Sequence, residues 1–286
     1  MMHKRDEPRK GVALVTGSSS GFGLQTVIAL ASKGYEVAAT MRNLGAKAEL
    51  LQEAQSRGLA ERVHCYQLDV TDTAAMKPVV EQVERQLGPL DVLVNNAGYA
   101  AGGSVEDVPM SEWRAQFETN VFGVMELTKL VVPSMRERGR GMIINVSSVS
   151  GRIGFPGYGP YAASKFALEG FSEALRLELL PFGVYVVLLE PGAYRTAIWQ
   201  KGFDRIFTRE GSPYQAMMNS ILQYSRSMAE QAPHPSEVAE KIAELAEASY
   251  PRLRYPMGKG SRMLLFLRQI VPWKWYENTL HRLIKK

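Results

Sequence analysis

The chain has 286 residues, 45% hydrophobic and 22% charged, with a net charge of +5 at neutral pH; this is ordinary globular composition, sufficient for one large α/β domain, and it excludes a disordered chain. The charge is uneven: residues 259–286 hold seven basic side chains against Glu277 alone, a balance of +6, so the remaining 258 residues sum to −1 and a broad nucleic-acid footprint is excluded. The single cysteine, Cys65, forms no internal disulfide, the first ten residues lack the apolar core of a secretory signal, and no apolar run reaches the ~20 residues of a membrane span, so a soluble, cytoplasmic protein is expected.

The run VALVT (12–16) predicts the first strand, and a helix is expected over 22–33. Between them, VTGSSSGFG has two readings. Gly17-Ser18-Ser19-Ser20-Gly21 fits the G-x-S-x-G elbow that raises a hydrolase nucleophile. Gly17, Gly21 and Gly23 fit a turn that brings backbone close to a dinucleotide pyrophosphate at a helix N-terminus. Only 18 residues precede Ser19, too few for the strands and oxyanion loop that a hydrolase places ahead of its serine. Histidine supply is also poor, since of His3, His64, His234 and His281 only the last two lie downstream of the sheet. The dinucleotide reading is therefore preferred.

The second strand, 35–41, ends at Thr40-Met41-Arg42. An NAD site places an acid there for the ribose 2′-hydroxyl. The nearest acid, Glu36, stands at the other end of the strand, whereas Arg42 offers a planar donor fork suited to a 2′-phosphate and Ser20 can add a hydroxyl. NADP(H) is the expected cofactor. Next come a helix over 46–57 and the strand RVHCYQLDV (62–70), in which His64 and Cys65 are read as core filler rather than metal ligands, and which closes on Asp69 and Val70. No metal is expected.

A helix over 73–87 leads to LDVLVNN (90–96) and then Ala97-Gly98, followed by a helix over 111–137 in which Asn120 is a polar residue among apolar ones. GMIINVSS (141–148) ends on Ser147-Ser148, a helix spans 161–180, and GVYVVLLEP (183–191) runs into Gly192. Gly34, Gly58, Gly88 and Gly183 fall where helices end or strands begin. Near-continuous Val, Ile and Leu in the runs is what strands covered on both faces require. The alternation predicts an α/β fold: a single Rossmann-like, doubly wound parallel sheet with helices on both faces.

Tyr161 and Lys165 stand one helical turn apart, on one face. A free tyrosine titrates near ~10, too high for proton exchange at neutral pH. An ammonium about 4 Å from the phenol oxygen, at an effective dielectric of ~20, would favour phenolate by about 4 kcal/mol, roughly three pKa units.

Thr16-Gly17-x-x-x-Gly21-x-Gly23, Asn95-Asn96-Ala97-Gly98, Asn120, Ser148, Tyr161-x-x-x-Lys165 and Pro191-Gly192 together resemble the short-chain dehydrogenase/reductase family over residues 11 to about 192, and more loosely beyond. Within the family, Tyr185, the GYEVAATMRN run and the extended basic C-terminus look most like hydroxysteroid and retinol dehydrogenase members. The resemblance implies that Tyr161 passes the proton, that Lys165 also holds the nicotinamide ribose, and that Ser148 rather than Ser147 faces the substrate. It implies that Asn120 belongs to a water-linked proton path, though a buried amide tying helix to strand is the alternative. It implies further that Gly17, Ser19, Ser20, Gly21, Phe22, Gly23, Asp69, Val70, Asn96, Ala97 and Gly98 flank the cofactor, with Asp69 at the adenine, Pro191 and Gly192 beside the nicotinamide and Thr196 within reach of its carboxamide. Asn95 is adjacent only.

After Gly192 the alternation stops, and residues 193–235 gather Trp199, Phe203, Phe207, Tyr214, Met217, Met218, Tyr224 and Met228. Adaptable methionines with aromatics suit a lid over a bulky apolar ligand. Residues 259–286 mix Met263, Leu264, Leu265, Phe266, Leu267, Ile270, Val271, Trp273 and Trp275, interrupted by Pro272, with the basic side chains, a pattern that fits either peripheral membrane contact or a helix docked on the body with a basic rim. The expectation is one domain over 1–286, an NADP(H)-dependent enzyme interconverting lipophilic carbonyls and alcohols, and a homo-oligomer. A non-catalytic NADP(H) sensor is the alternative, opposed by the intact Ser148, Tyr161 and Lys165.

Overall fold

The computed structural model describes residues 10–196, 202 and 206–284. Each predicted run forms a strand: β1 (Gly11–Val15), β2 (Tyr35–Met41), β3 (Val63–Gln67), β4 (Leu90–Asn95), then, after the two-residue β5 (Gly102–Gly103), β6 (Gly141–Val146) and β7 (Val184–Pro191). Two further strands follow, β8 (Ile206–Phe207) and β9 (Arg254–Met257). The main sheet has the order β3-β2-β1-β4-β6-β7-β9 with every pairing parallel, while β5 and β8 form a separate parallel pair.

Alternation within each run decides which layer a side chain joins. Val12 and Leu14 of β1 pack with Val83, Leu127 and Leu179 on one face; Ala13 and Val15 pack with Leu24, Val27 and Ile242 on the other. Both faces are thus covered, which is why the runs read as almost unbroken aliphatic sequence. β9 reads differently. Its sequence RYPM carries no aliphatic run, and Pro256 is tolerated because this strand closes the edge of the sheet.

The predicted helices appear as α1 (Gly21–Ser32), α2 (Ala48–Ser56), α3 (Thr73–Leu87), α4 (Met110–Phe117), α5 (Gly123–Arg138) and α6 (Gly159–Leu179). The single helix expected over 111–137 is interrupted, because α4 and α5 are joined by a π-type turn, Glu118–Phe122, that carries Asn120. Beyond β7 lie helices Gln215–Glu230, Ser236–Ala246, Ser261–Ile270 and Trp273–Ile284. Among the described residues no helix is long and apolar enough to cross a membrane. His64 pairs with Glu36 at 2.8 Å, and Cys65 is half-buried in β3 rather than fully enclosed.

Candidate active site

The carboxyl ends of β1, β4, β6 and β7 open on one cavity of about 1300 Å³. Its floor is the glycine turn. Gly17 has φ +68°, and a Cβ there would lie 2.9 Å from Ala97 Cα; at Gly23 it would lie 2.2 Å from the Gly17 carbonyl oxygen. No other residue fits either place. Asn96 locks the turn from below by donating from Nδ2 to the carbonyls of Thr16 (2.8 Å) and Gly17 (3.2 Å), while Thr16 Oγ1 accepts from the amides of Asn96 and Ala97 at 3.0 Å each. The Asn-Asn-Ala-Gly segment is thus the brace of the glycine turn as well as a wall of the cavity. Asn95 faces away, donating to Asn145 (2.8 Å) and Thr128 (3.2 Å).

Ser20 precedes α1 without capping it by its side chain, and the first residues of the helix, Gly21 and Phe22, line the cavity. Ser19, Ser20, Gly21 and Phe22 line the cavity, whereas Gly23 serves close packing behind it. Phe22 meets the ring of buried Tyr194 edge to face at 5.5 Å. Arg42 lies at the rim with its side chain largely exposed and Nε 4.0 Å from Asp69; Asp69 Oδ1 accepts from Thr71. Asp69 and Val70 line this end, while Glu36 is engaged with His64 and Arg62 at the opposite end of β2. At the other end of the cavity stand Pro191, Gly192 and Thr196, and a Cβ on Gly21 would meet Thr196 at 3.4 Å.

Ser148, Tyr161 and Lys165 converge on the same wall. Ser148 lies two residues past β6, takes the Ser150 amide at 3.1 Å and makes a long 3.4 Å bond to the Pro191 carbonyl. Lys165 Nζ donates to the carbonyl of Val146 at 2.8 Å and lies 5.8 Å from the Tyr161 ring centre. Burial pushes the Tyr161 phenol up, opposed by a hydrogen bond with Ser148. Burial lowers Lys165 from 10.5 to about 8, with the Glu169 carboxylate acting against it. The strong lowering of Tyr161 by Lys165 that the helix spacing suggested is therefore not present in this structure. Both groups pay for burial, and the ammonium bonds a backbone carbonyl rather than the phenol.

Asn120 does not line the cavity. Its amide donates to the Tyr99 carbonyl and to Ser164 Oγ, each at 3.1 Å, and its Oδ1 accepts from the Tyr99 amide at 3.2 Å. It ties the π turn to α6 and to the loop after β4. Of the further wall residues, Phe155, Pro156, Tyr158, Ile221 and Leu280 were not singled out in the sequence. Phe155, Pro156 and Tyr158 come from the loop before α6, and Leu264, Leu267, Val271 and Leu280 from the last two helices. Tyr158 bonds Ser225 of helix Gln215–Glu230 at 3.0 Å, and that helix adds Ile221, Tyr224 and Met228 to the wall. Leu264 and Leu267 border the cavity while keeping over a third of their surface exposed, and the residues that helix Ser261–Ile270 buries are Ser261 and Leu265. Of the aromatic and methionine residues expected over the site, Trp199 and Phe203 lie outside the described residues.

The family model for short chain dehydrogenase matches residues 11–206. The chain is 46% identical to the uncharacterized oxidoreductase YusZ of Bacillus subtilis, covering 96% of this chain and 98% of that one. It is 35% identical to retinol dehydrogenase 8 of Bos taurus (98% and 91%) and 34% identical to 17-beta-hydroxysteroid dehydrogenase type 1 of Homo sapiens (85% and 76%). Among solved structures, a short chain dehydrogenase/reductase from Burkholderia phymatum in complex with NAD superposes with a TM-score of 0.78 at 27% identity, covering 91% of this chain and 93% of that one. The closed form of serine dehydrogenase complexed with NADP+ superposes with 0.73 at 27% identity (86% and 94%).

Proposed function

Because the chain belongs to the short-chain dehydrogenase/reductase family, we propose that it is an NADP(H)-dependent oxidoreductase that interconverts a carbonyl and an alcohol on a lipophilic substrate, with Tyr161 as the acid/base. The observation that carries this reading is convergence: Ser148, Tyr161 and Lys165 share one cavity with the glycine turn, the open end of α1 and Arg42. The residues fit a dinucleotide, since the turn excludes any Cβ at Gly17 and Gly23 and thereby leaves backbone amides where a pyrophosphate needs donors. Arg42 would hold a 2′-phosphate, the Lys165 ammonium the nicotinamide ribose, and Thr196 the carboxamide. When bound, the nicotinamide supplies or accepts the hydride.

The chain's own part is to place and move a proton. Ser148 would orient the substrate oxygen by hydrogen bonding, and Tyr161 would give its phenolic proton to that oxygen during reduction. A positive Lys165 on the same buried face stabilises the phenolate that remains. Asn120 positions rather than reacts, by fixing the π turn against Ser164 one residue before Lys165.

The substrate side of the cavity is apolar: Phe155, Ile221, Met228, Leu264 and Leu267 favour a bulky, lipophilic ligand, with helix Gln215–Glu230 as its lid. The last two helices leave Met263, Phe266, Ile270, Trp273 and Trp275 exposed among Arg262, Arg268 and Lys274. That mixture suits peripheral contact of a cytoplasmic enzyme with an anionic membrane surface. Exposed Phe122 on the π turn and Phe166 and Leu177 on α6 suit a second copy of the chain. The test of the activity is kcat/KM over steroids, retinoids, long-chain ketones and small ketones with NADPH and NADH. Turnover of none of them by folded protein that binds NADPH would overturn it.

A further inference from the structure

Behind the wall that carries Lys165 lies a second buried polar group. Ser147 Oγ, Glu169 Oε1 and Glu190 Oε2 are enclosed and have no hydrogen-bond partner. A Cβ on Gly151 would lie 2.8 Å from Ser147 Oγ and 2.9 Å from Glu169 Cγ, so the serine and the first carboxyl press on the same glycine. Arg254 joins the two carboxyls: its Nε is 2.9 Å from Glu169 Oε2 and 3.5 Å from Glu190 Oε1. Arg152 reaches Glu190 Oε1 at 3.1 Å, and Arg254 also holds the half-exposed Glu173 at 2.6 Å. Three carboxyls therefore face two guanidiniums, and two of the carboxyls are almost fully enclosed.

Two features link this group to the active site. Glu169 is one helical turn beyond Lys165 on α6, and both are buried. Glu190 is followed directly by Pro191, and Ser147 by Ser148. Like charges in one enclosed site do not ionise together without cost, and the two unpartnered carboxyl oxygens have no donor.

We propose that Glu169 and Glu190 are positioning residues: the pair holds one proton, on Glu190, and the carboxylate left on Glu169 keeps Lys165 in its charged form. A proton on Glu190 removes one of the two enclosed like charges and leaves the Glu169 carboxylate bonded to Arg254 at 2.9 Å. Burial, and next the Glu169 carboxylate, push Glu190 up to about 7, with Arg152 and Arg254 opposing. Burial lowers Lys165, and the Glu169 carboxylate is what holds it up. The charged and titratable groups that meet here are Lys165, Glu169 and Glu173 from α6, Glu190 from β7, Arg152 from the turn after β6 and Arg254 from β9. The kinetic consequence rests on the role proposed for Lys165; the proton itself does not.

Infrared difference spectra of the full chain, titrated without cofactor over about pH 5 to 9, test the proton directly. The expected result is a protonated-carboxyl stretch that disappears near neutrality, is missing in Glu190→Gln, and disappears at lower pH in Glu169→Gln. Carboxyls that all ionise in the ordinary range would overturn the pair, as would happen if an enclosed water satisfied the three oxygens instead. In kinetics at saturating cofactor, Glu169→Gln should bring the alkaline loss of kcat about one pH unit lower, and Glu190→Gln should move it by less than about 0.3 unit. A folded Glu169→Gln with a pH profile of unchanged shape would overturn the link to Lys165 and leave the carboxylate a purely structural role. Wild-type protein that reduces no carbonyl defeats the proposed function, while the infrared experiment still decides the pair.

Discussion

Lys165 Nζ and the Tyr161 ring centre are 5.8 Å apart on the buried face of α6, and the ammonium bonds the Val146 carbonyl rather than the phenol. The two residues are therefore separable by mutation. Tyr161→Phe deletes the transferable proton but leaves the lysine in place. It should lower kcat by about 10² to 10⁴, with NADPH affinity, followed by fluorescence titration, little changed. A phenylalanine variant with near-parental kcat would remove Tyr161 from the acid/base role.

Lys165→Met should expose the stability given up for function. The folded lysine sits near 8 against its ordinary 10.5, so below pH 8 the folded state carries an ammonium that burial disfavours. This loss shrinks as pH rises from the folded value toward the unfolded one, where neither state is charged. The shift corresponds to about 3 kcal/mol, less about 1 kcal/mol for the lost bond to Val146. Urea unfolding of the cofactor-free protein should show the variant more stable at pH 7 and the gain mostly gone near pH 10. A gain that does not change with pH would refute the assigned shift.

Much of this architecture was legible because parallel strands buried on both faces have an unmistakable composition: VALVT and VYVVLLEP could hardly be anything else. Tyr161, Lys165 and Ser148 were singled out through the family resemblance of their motifs, and the fold brings the three to one cavity wall. β9 was not, since an edge strand can carry Arg254 and Pro256 without an aliphatic run. The π turn at Asn120 was not, because a shift of hydrogen-bond register leaves no mark in apolar periodicity. Glu169 and Glu190 belong to no motif in the sequence. Their partners, Arg152 and Arg254, are brought to them only by the fold. The expected phenol shift failed for the same reason, since sequence spacing gives a distance but not the burial that opposes it.

Arg42→Asp should move preference from NADP(H) toward NAD(H). The exposed fork at the end of β2 is the only cation that β2 presents to this rim, and Glu36 is already committed to His64 and Arg62. Loss of charge-assisted bonds to a phosphate costs about 1.5 to 3 kcal/mol, or roughly 10- to 150-fold in kcat/KM for NADPH. The NADPH/NADH ratio of kcat/KM for parent and variant reads this out. A parent that already prefers NADH would defeat the assignment.

Gly23→Ala tests the cradle from behind the cavity. The added carbon would fall 2.2 Å from the Gly17 carbonyl and 2.6 Å from Asn96 Nδ2, so the turn and its brace must both yield. Backbone cannot move aside as a flexible side chain can, and overpacking of this kind costs about 1 to 3 kcal/mol. Thermal unfolding should show that loss, and dinucleotide affinity should fall with it. Gly58→Ala, in open space but at φ +69°, is the control: it should cost stability and spare affinity.

The C-terminal helices wall the cavity with one face and expose another, so truncation would confuse two roles. Leu264, Leu267 and Val271 line the cavity, whereas Met263, Phe266, Ile270 and Trp275 are among the most exposed apolar side chains described. Replacing those four by Ser or Gln should leave kcat/KM for a small soluble ketone within about twofold, since surface changes rarely exceed ~0.5 kcal/mol. It should weaken co-sedimentation with anionic vesicles at least tenfold. Binding by the parent should be stronger to anionic than to neutral vesicles and fall with salt, because each nearby Lys or Arg contributes about 1 kcal/mol at an anionic surface. If parent and variant sediment equally, the exposed face does not meet lipid, and these helices serve the cavity alone.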